Sequence, residues 1–178
     1  MGSLRVPVTQ RDHVRGPADA PVTLVEYGDY ECPLCGAAYP IVETVRAQFG
    51  RQLRFVFRHF PLTQIHPMAQ PAAESAECAG AHGRFWEMHD GIYRNQEQLS
   101  VPLLLTLADA LGIGAEEMRD ALTTGQYEPK VRADFMSGVR SGVNGTPTFF
   151  INGERHDGAM DFDELAAVIE AQLESVIR

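Results

Sequence analysis

Two of the three cysteines stand close together in the segment Cys32-Pro33-Leu34-Cys35. The segment follows an apolar run typical of a strand and opens a run with helical spacing, a context that favours redox chemistry over metal binding. If Cys32 caps this helix and Pro33 is its first residue, the cysteines lie one turn apart, within reach of a reversible disulfide. The N–H groups and the dipole at the helix start would lower the pKa of the first thiol. The pattern therefore predicts Cys32 as the attacking thiol and Cys35 as the resolving thiol.

Glu26 is the candidate proton acceptor for Cys35, because it lies on the apolar run that leads to the cysteine pair. Strand alternation could direct its carboxylate beneath the helix start, where desolvation would raise its pKa and suit it to carry a proton. The alternative is a carboxylate at a sheet edge that pairs with an arginine. The sequence leaves both interpretations open.

Three neighbours of the cysteines oppose a strongly stabilised thiolate. Asp29 and Glu31 are like charges close to Cys32. Leu34 offers neither a hydrogen bond nor a positive charge, unlike a histidine in the same place. We therefore predict a less strongly oxidising disulfide than in sites that read Cys-Pro-His-Cys.

A metal site and a purely structural disulfide fit these residues less well. Zinc bound by thiolates takes four donors, usually with a second closely spaced pair, and the six histidines show no such spacing. A static bridge across so short a loop would stabilise little. We expect neither a metal nor an organic cofactor.

Other polar residues receive a structural interpretation. Cys78 falls near the boundary between a polar helix face, with Gln70, Glu74 and Glu77, and an apolar one, so we expect a half-buried residue, with a third redox thiol as the alternative. Long side chains on a solvated strand face account for a basic stretch in an acidic chain. Its members are Arg46, Arg51, Arg54, Arg58 and His59.

The elements around the cysteines follow from the apolar pattern. Residues 22–27 predict a buried strand, 32–49 a helix that ends at Gly50 and is kinked at Pro40, and 53–57 a second strand. Five helical patterns follow, and then a strand at 148–151, a hairpin turn at Asn152-Gly153, a short strand and a last helix. We expect an edge strand at 4–8 as well. The predicted domains are an N-terminal arm at 1–20, a β-containing domain at 21–61 and 143–178, and an inserted helical domain at 62–142.

Composition narrows the partners. The 178 residues include 15 Lys and Arg against 24 Asp and Glu, a formal charge of -9, which disfavours nucleic acid and anionic membranes. At 44% hydrophobic residues the chain can close a core, and its most apolar stretch is too short to span a bilayer. The first twenty residues hold no apolar block of signal-peptide length, so we expect a cytoplasmic protein. A periplasmic or other extracytoplasmic location is the alternative if a leader was removed.

A longer set of motifs resembles the thioredoxin superfamily. The strand that runs into Cys32-Pro33-Leu34-Cys35, together with the distant segment Gly145-Thr146-Pro147-Thr148-Phe149-Phe150-Ile151-Asn152-Gly153, carries the resemblance. The helical insert between the two halves is similar to the DsbA-like branch, as are the segments 57–62 and 83–90. The resemblance covers about residues 21–177. It implies an α/β thioredoxin fold, βαβ and ββα, with an all-helical insertion between the halves.

The resemblance also implies roles for single residues. Cys32 corresponds to the exposed nucleophile, Cys35 to its buried partner, Glu26 to the buried acid, and Thr146-Pro147 to a cis peptide beside the disulfide. Proline lacks an N–H, which leaves the backbone of Thr146 to receive an extended substrate. Pro33, Leu34, Thr146 and Pro147 are therefore the expected substrate-binding residues. Thr146 is similar to the residue that disulfide isomerases have there, but their N-terminal dimerisation domain is not in this sequence, and we expect a monomer.

These observations lead to one main hypothesis and two alternatives. The main hypothesis is a DsbA-like thiol-disulfide oxidoreductase that exchanges the Cys32–Cys35 disulfide with cysteines of protein substrates and with a redox partner, through a mixed disulfide at Cys32. One alternative is a glutathione-dependent small-molecule transferase or isomerase of the same fold. The other is a non-enzymatic module that binds peptides or metal.

Overall fold

The computed structural model describes residues 2–177, which form a five-stranded sheet and seven α-helices. The strands are β1 (His13–Arg15), β2 (Val22–Gly28), β3 (Leu53–His59), β4 (Thr148–Ile151) and β5 (Glu154–His156). The helices are α1 (Pro33–Phe49), α2 (Ala69–Ala81), α3 (Phe85–Arg94), α4 (Val101–Ala110), α5 (Ala115–Thr124), α6 (Glu128–Arg140) and α7 (Phe162–Ile177). The predicted order of strand, helix, strand, helical segment, two strands and helix is confirmed.

The sheet has the strand order β1-β3-β2-β4-β5, so β2 is its central strand. All residues of β2 are buried except Thr23, as expected for an apolar strand with neighbours on both sides. β4 pairs antiparallel with β2, with Tyr27 opposite Thr148 and Leu24 opposite Ile151. The strand that leads to the cysteine pair is therefore held in the middle of the sheet.

Glycine ends α1 and turns the hairpin, as the sequence indicates. Gly50 has φ +51° directly after the last residue of α1, a conformation that costs glycine little. Asn152 and Gly153 have φ +48° and +85°, which matches the two-residue turn predicted between β4 and β5. Pro40 lies inside α1 as predicted.

The N-terminal arm differs from its prediction. No strand covers residues 4–8; the edge strand is β1, which pairs antiparallel with β3. Arg58 holds the arm instead, because its guanidinium donates to the carbonyls of Val6 and Pro7 and forms an ion pair with Asp12 at 2.8 Å. The interpretation of Arg58 as a solvated side chain is therefore wrong: it is 2% exposed.

The chain divides into two compact units. One contains residues 2–28, 37–58 and 137–177, and the other contains residues 29–36 and 59–136. In the second unit α2 packs against α3, α4 and α5. These neighbouring helices bury Glu74 and Glu77, while Gln70 is half-buried, so the predicted polar face is wrong. Within residues 2–177, no helix combines the length and the apolar character needed to cross a membrane.

Candidate functional site

The cysteine pair lies at the start of α1 in the predicted arrangement. Cys32 precedes the helix, Pro33 is its first residue, and the carbonyl of Cys32 accepts the first helical hydrogen bond from Gly36 at 3.0 Å. Proline is tolerated here because the first turn of a helix leaves its N–H groups without carbonyl partners. The helix start therefore presents two thiols one turn apart.

Accessibility of the cysteines corrects one expectation. Cys35 is 0% exposed, as the resemblance implies for the resolving thiol. Cys32, however, is only 5% exposed, so the expectation of an exposed nucleophile is wrong. Between the cysteines the order of accessibility is still the expected one, and Leu34 is the prominent side chain of the segment at 67% exposure.

The side chain of Gln96 bonds to the turn before α1, a role that the sequence did not predict. Its side-chain amide donates to the carbonyls of Tyr30, at 2.9 Å, and Cys32, at 2.8 Å. A Cβ on Gly36 would collide with the amide end of the Gln96 side chain, which would then have to shift. The glutamine is 64 residues from Cys32 along the chain, and no local pattern signals it.

Asp29 contacts the residues of both cysteines. One carboxylate oxygen, Oδ1, accepts hydrogen bonds from the N–H groups of Glu31 at 2.8 Å and Cys32 at 3.2 Å. The backbone N–H of Asp29 points at Cys35 Sγ, at 3.5 Å. Asp29 is 1% exposed, so its carboxylate is a charge inside the protein at the helix start. The sequence identified this charge but not its burial.

The acidic residues before Cys32 are compensated by bonds to the segment after β3. Oδ2 of Asp29 accepts from the N–H of Leu62, at 2.9 Å, and lies 2.8 Å from His66 Nδ1. Glu31 Oε1 accepts from the N–H of Met68, at 2.9 Å, at the start of α2. Donors and a helix start disperse carboxylate charge. Asp29 and Glu31 therefore oppose thiolate formation less than bare charges would.

Glu26 is 2% exposed within the central strand β2, opposite Phe149 of β4. The alternative that placed it at a sheet edge is therefore wrong, because β2 has a neighbour on each side. A buried carboxylate on the strand that leads to the cysteines is compatible with a proton carrier. That role stays a prediction.

The segment before β4 contains the expected proline. The peptide bond between Thr146 and Pro147 is cis. Thr146 is 9% exposed and Thr148 is buried, with the Thr148 hydroxyl donating to the carbonyl of Gly145 at 2.7 Å. This bond fixes the turn through the proline to the first residue of β4.

A cluster of aromatic and histidine side chains lies below the turn. The hydroxyl of Tyr30 is 2.9 Å from His89 Nδ1, and its ring packs against the rings of His59 and Tyr93. Tyr30 and His89 are 1% exposed. Tyr30 is two residues before Cys32, so this packing fixes the backbone that leads to the nucleophile. No pattern in the sequence indicates a role for Tyr30, His89 or Tyr93.

His59, Glu77 and Asp134 form the one group in residues 2–177 whose ligand atoms are close enough to hold a metal ion. His59 Nε2 and Glu77 Oε2 are 2.8 Å apart, and Asp134 accepts from the N–H of His59 at 3.0 Å. Lys130 Nζ lies 2.8 Å from Asp134 Oδ1 and 3.8 Å from Glu77 Oε2. The lysine ammonium thus already places positive charge in this acidic group, which favours an ion-pair network. His59 is buried, so its placement on a solvated face is wrong.

Cys78 is fully buried rather than half-buried, at 1% exposure. Burial, reinforced by the charge of Glu117, raises the pKa of its thiol above the usual value, although a hydrogen bond with Tyr127 opposes this effect. We expect Cys78 in the native protein at pH 8 to react with iodoacetamide about a hundredfold more slowly than in urea, because reaction requires local opening. Peptide mass spectrometry measures both rates. Equal rates in the native protein and in urea would support Cys78 as a third redox thiol.

The chain matches the family model described as Thioredoxin over residues 8–171, and it belongs to that family. BdbD from Bacillus subtilis superimposes with a TM-score of 0.88 and 26% identity, covering 97% of this chain and 98% of BdbD. The α-DsbA1 protein of Wolbachia pipientis gives a TM-score of 0.84 at 18% identity, covering 98% and 96% of the two chains, a likeness of fold. The chain thus belongs to the thioredoxin superfamily, and its fold is that of the DsbA-like proteins.

Curated relatives carry a different description. A protein of Salinispora arenicola described as Na(+)/H(+) antiporter NhaA 1 is 47% identical over 93% of this chain. A protein of Mycobacterium sp. with the same description is 41% identical over 91%. The matches cover 26% and 27% of those proteins, so this chain spans about a quarter of their length.

Proposed function

We propose that the chain catalyses thiol-disulfide exchange with protein substrates through Cys32 and Cys35. The observation that carries the proposal is the cysteine pair at the start of α1, with Cys32 in the capping position and Cys35 one turn on. The dipole and the N–H groups of the first turn favour a thiolate at Cys32. The family and the neighbouring structures support the same chemistry.

Each half of the reaction is an exchange of sulfur partners. In the reductive direction the Cys32 thiolate attacks a substrate disulfide, one substrate sulfur leaves as a thiolate and takes a proton, and a mixed disulfide remains. Cys35 then loses a proton and attacks Cys32, which releases the second substrate thiolate and leaves the Cys32–Cys35 disulfide. Two electrons pass to the substrate. A redox partner reverses these steps.

The remaining roles are part of the same proposal. Glu26 takes the proton of Cys35, and Pro33, Leu34, Thr146 and Pro147 contact the substrate. The exposure of Leu34 supports contact with an incoming chain. The reaction needs no metal or organic cofactor, since electrons and protons pass between sulfurs and water. We further propose that the chain acts as a monomer; a cytoplasmic and an extracytoplasmic site of action stay alternatives.

Reduction of insulin by dithiothreitol tests the proposal, with precipitation of the B chain as the signal. We expect the wild type to accelerate precipitation and Cys32→Ser to lose the acceleration, by roughly a thousandfold or more in turnover, as for other lost nucleophiles. Cys78→Ala is the matched control and should keep the wild-type rate. Equal rates for wild type and Cys32→Ser would remove the enzyme interpretation. Activity only with glutathione and a small substrate would favour the transferase alternative.

In this proposal, the residue at position 34 influences the redox potential of the Cys32–Cys35 disulfide. We expect Leu34→His to lower the pKa of Cys32 by about 1 unit, because a cation within a few ångströms favours the thiolate. The redox potential should rise by roughly 30 mV, the equivalent of a tenfold change for two electrons. Leu34→Met is the control and should leave both values in place. Thiolate absorbance at 240 nm and equilibration with glutathione give the two numbers, and an unchanged potential in Leu34→His would contradict this prediction.

A second candidate function follows from the antiporter relatives. The identity of 47% to one quarter of such a protein supports a role as a redox domain that acts on, or together with, a Na⁺/H⁺ antiporter. Transport by an antiporter of this group, reconstituted in vesicles, would then respond to the oxidised chain and not to its Cys32→Ser variant. Identical transport with both would exclude this candidate while leaving the exchange activity intact.

A further inference from the structure

We propose that His66 is a positioning residue for the Cys32–Cys35 couple. Through its contact with Asp29, His66 reduces the negative charge that the two thiols experience. The inference rests on the proposed exchange function. His66 does not adjoin the cysteines in sequence, because it follows Cys35 by 31 positions. The carboxylate of Asp29 links the His66 side chain to the turn before Cys32.

The charge of Asp29 opposes thiolate formation at the cysteine pair. Its side chain is 0% exposed, and its backbone N–H lies 3.5 Å from Cys35 Sγ. A buried carboxylate that accepts from the N–H of Cys32 destabilises a thiolate formed at this helix start, since like charges repel strongly where water is excluded. Without compensation, Asp29 would therefore suppress the reactive form of the cysteines.

Four hydrogen-bond donors surround the carboxylate of Asp29. Oδ1 receives the N–H groups of Glu31 and Cys32, and Oδ2 receives the N–H of Leu62 and Nδ1 of His66 at 2.8 Å. An ionised carboxylate only accepts, so Nδ1 of His66 carries the hydrogen of this bond. Three of the four donors are backbone groups. His66 is the one side chain among these four donors, and hence the one that a substitution can remove.

The segment that carries His66 also bonds to the turn before Cys32. His66 lies in the segment between β3 and α2, and the same segment donates the N–H of Met68 to Glu31. Two carboxylates before Cys32 therefore fasten this segment to the turn that presents the nucleophile. His66 is 16% exposed, so its ring reaches solvent while Nδ1 stays on the carboxylate.

The prediction is a change in thiol chemistry that exceeds any change in stability. In His66→Ala we expect Cys32 to react with iodoacetamide at pH 7 about tenfold more slowly. The dithiol should also be about tenfold easier to oxidise by glutathione, because a less stabilised thiolate makes a weaker oxidant. His66→Asn keeps an N–H at the position of Nδ1 and should stay within about threefold of the wild type.

Two further variants separate charge compensation from a structural role. Asp29→Asn removes the charge, so adding His66→Ala to it should change the rate by less than about threefold. His82→Ala is the matched control, because His82 pairs with Glu117 at the surface and has no bond to this network. Thermal unfolding of every variant is recorded alongside. If His66→Ala does not fold, Asp29→Asn alone tests the inference. Its Cys32 should then react with iodoacetamide at a rate equal to or above that of the wild type.

Unchanged chemistry in a folded His66→Ala variant would overturn the inference. So would an equal loss in the Asp29→Asn background, since His66 would then act by another route, or a slower rate in Asp29→Asn alone. Failure of the proposed function looks different: the wild type itself would show no redox transition of Cys32 and Cys35. The two failures are thus distinguished by the wild-type titration.

Discussion

Cys35→Ala is expected to convert a transient mixed disulfide into a stable covalent complex between Cys32 and a substrate cysteine. In the wild type, Cys35 lies one turn from Cys32, and in the proposed mechanism it resolves the complex from the same helix start. Without it, resolution depends on thiols from solution, whose exchange takes minutes to hours. The lifetime of the complex should therefore increase by several orders of magnitude.

The trapped species is measured by incubating the reduced variant with a disulfide-bonded peptide and separating the products without reductant. Digestion and mass spectrometry identify the linked cysteine. We expect linkage through Cys32 alone, no complex with Cys32→Ser/Cys35→Ala, and normal turnover with Cys78→Ala as the control. Linkage mainly through Cys78, or an equally short lifetime without Cys35, would contradict the assignment of nucleophile and resolving thiol.

Arg58→Met is expected to lower the free energy of unfolding by about 3–5 kcal/mol, because it leaves a buried carboxylate uncompensated. Arg58 pairs with Asp12, whose side chain is 7% exposed, and it also donates to the hydroxyl of Tyr27 at 2.8 Å. Burial alone lowers the pKa of Arg58, but the bonds to Asp12 and Tyr27 outweigh it, and the pKa lies above its usual value. The charge therefore persists at every accessible pH.

Urea denaturation measures this loss, and the same strand supplies a control. Arg54 lies in β3 like Arg58 but is half-buried and donates to the hydroxyl of Thr23. Arg54→Met should cost less than about 1 kcal/mol. A loss below about 1 kcal/mol in Arg58→Met would show that the N-terminal arm is held by other contacts.

Local patterns predicted most of the fold. The apolar run of β2, the Pro33 start and Gly50 end of α1, and the Asn152-Gly153 turn depend on preferences within a few residues, so the sequence alone indicates them. The resemblance to the thioredoxin superfamily indicated the cis peptide at Pro147, before β4. These features suffice to place Cys32 and Cys35 at a helix start.

What the sequence could not predict depends on partners distant along the chain. Glu77 appears on a polar helix face until α3, α4 and α5 surround α2, and Arg58 appears solvated until the N-terminal arm covers it. Asp29 appears to oppose the thiolate until Leu62 and His66 donate to it. Burial of polar groups is thus determined by tertiary packing, which neither periodicity nor charge counts reveal.

Titration of the wild type in glutathione buffers, with alkylation of the remaining thiols, tests the central claim most directly. The account predicts a single two-electron transition in which the alkylated thiols of the unfolded, quenched protein fall from three to one, with Cys78 the one that remains. Its midpoint should be more reducing than about -120 mV, the value of the strongest oxidants of this class. Three alkylated thiols at every potential, or a disulfide that includes Cys78, would contradict the account.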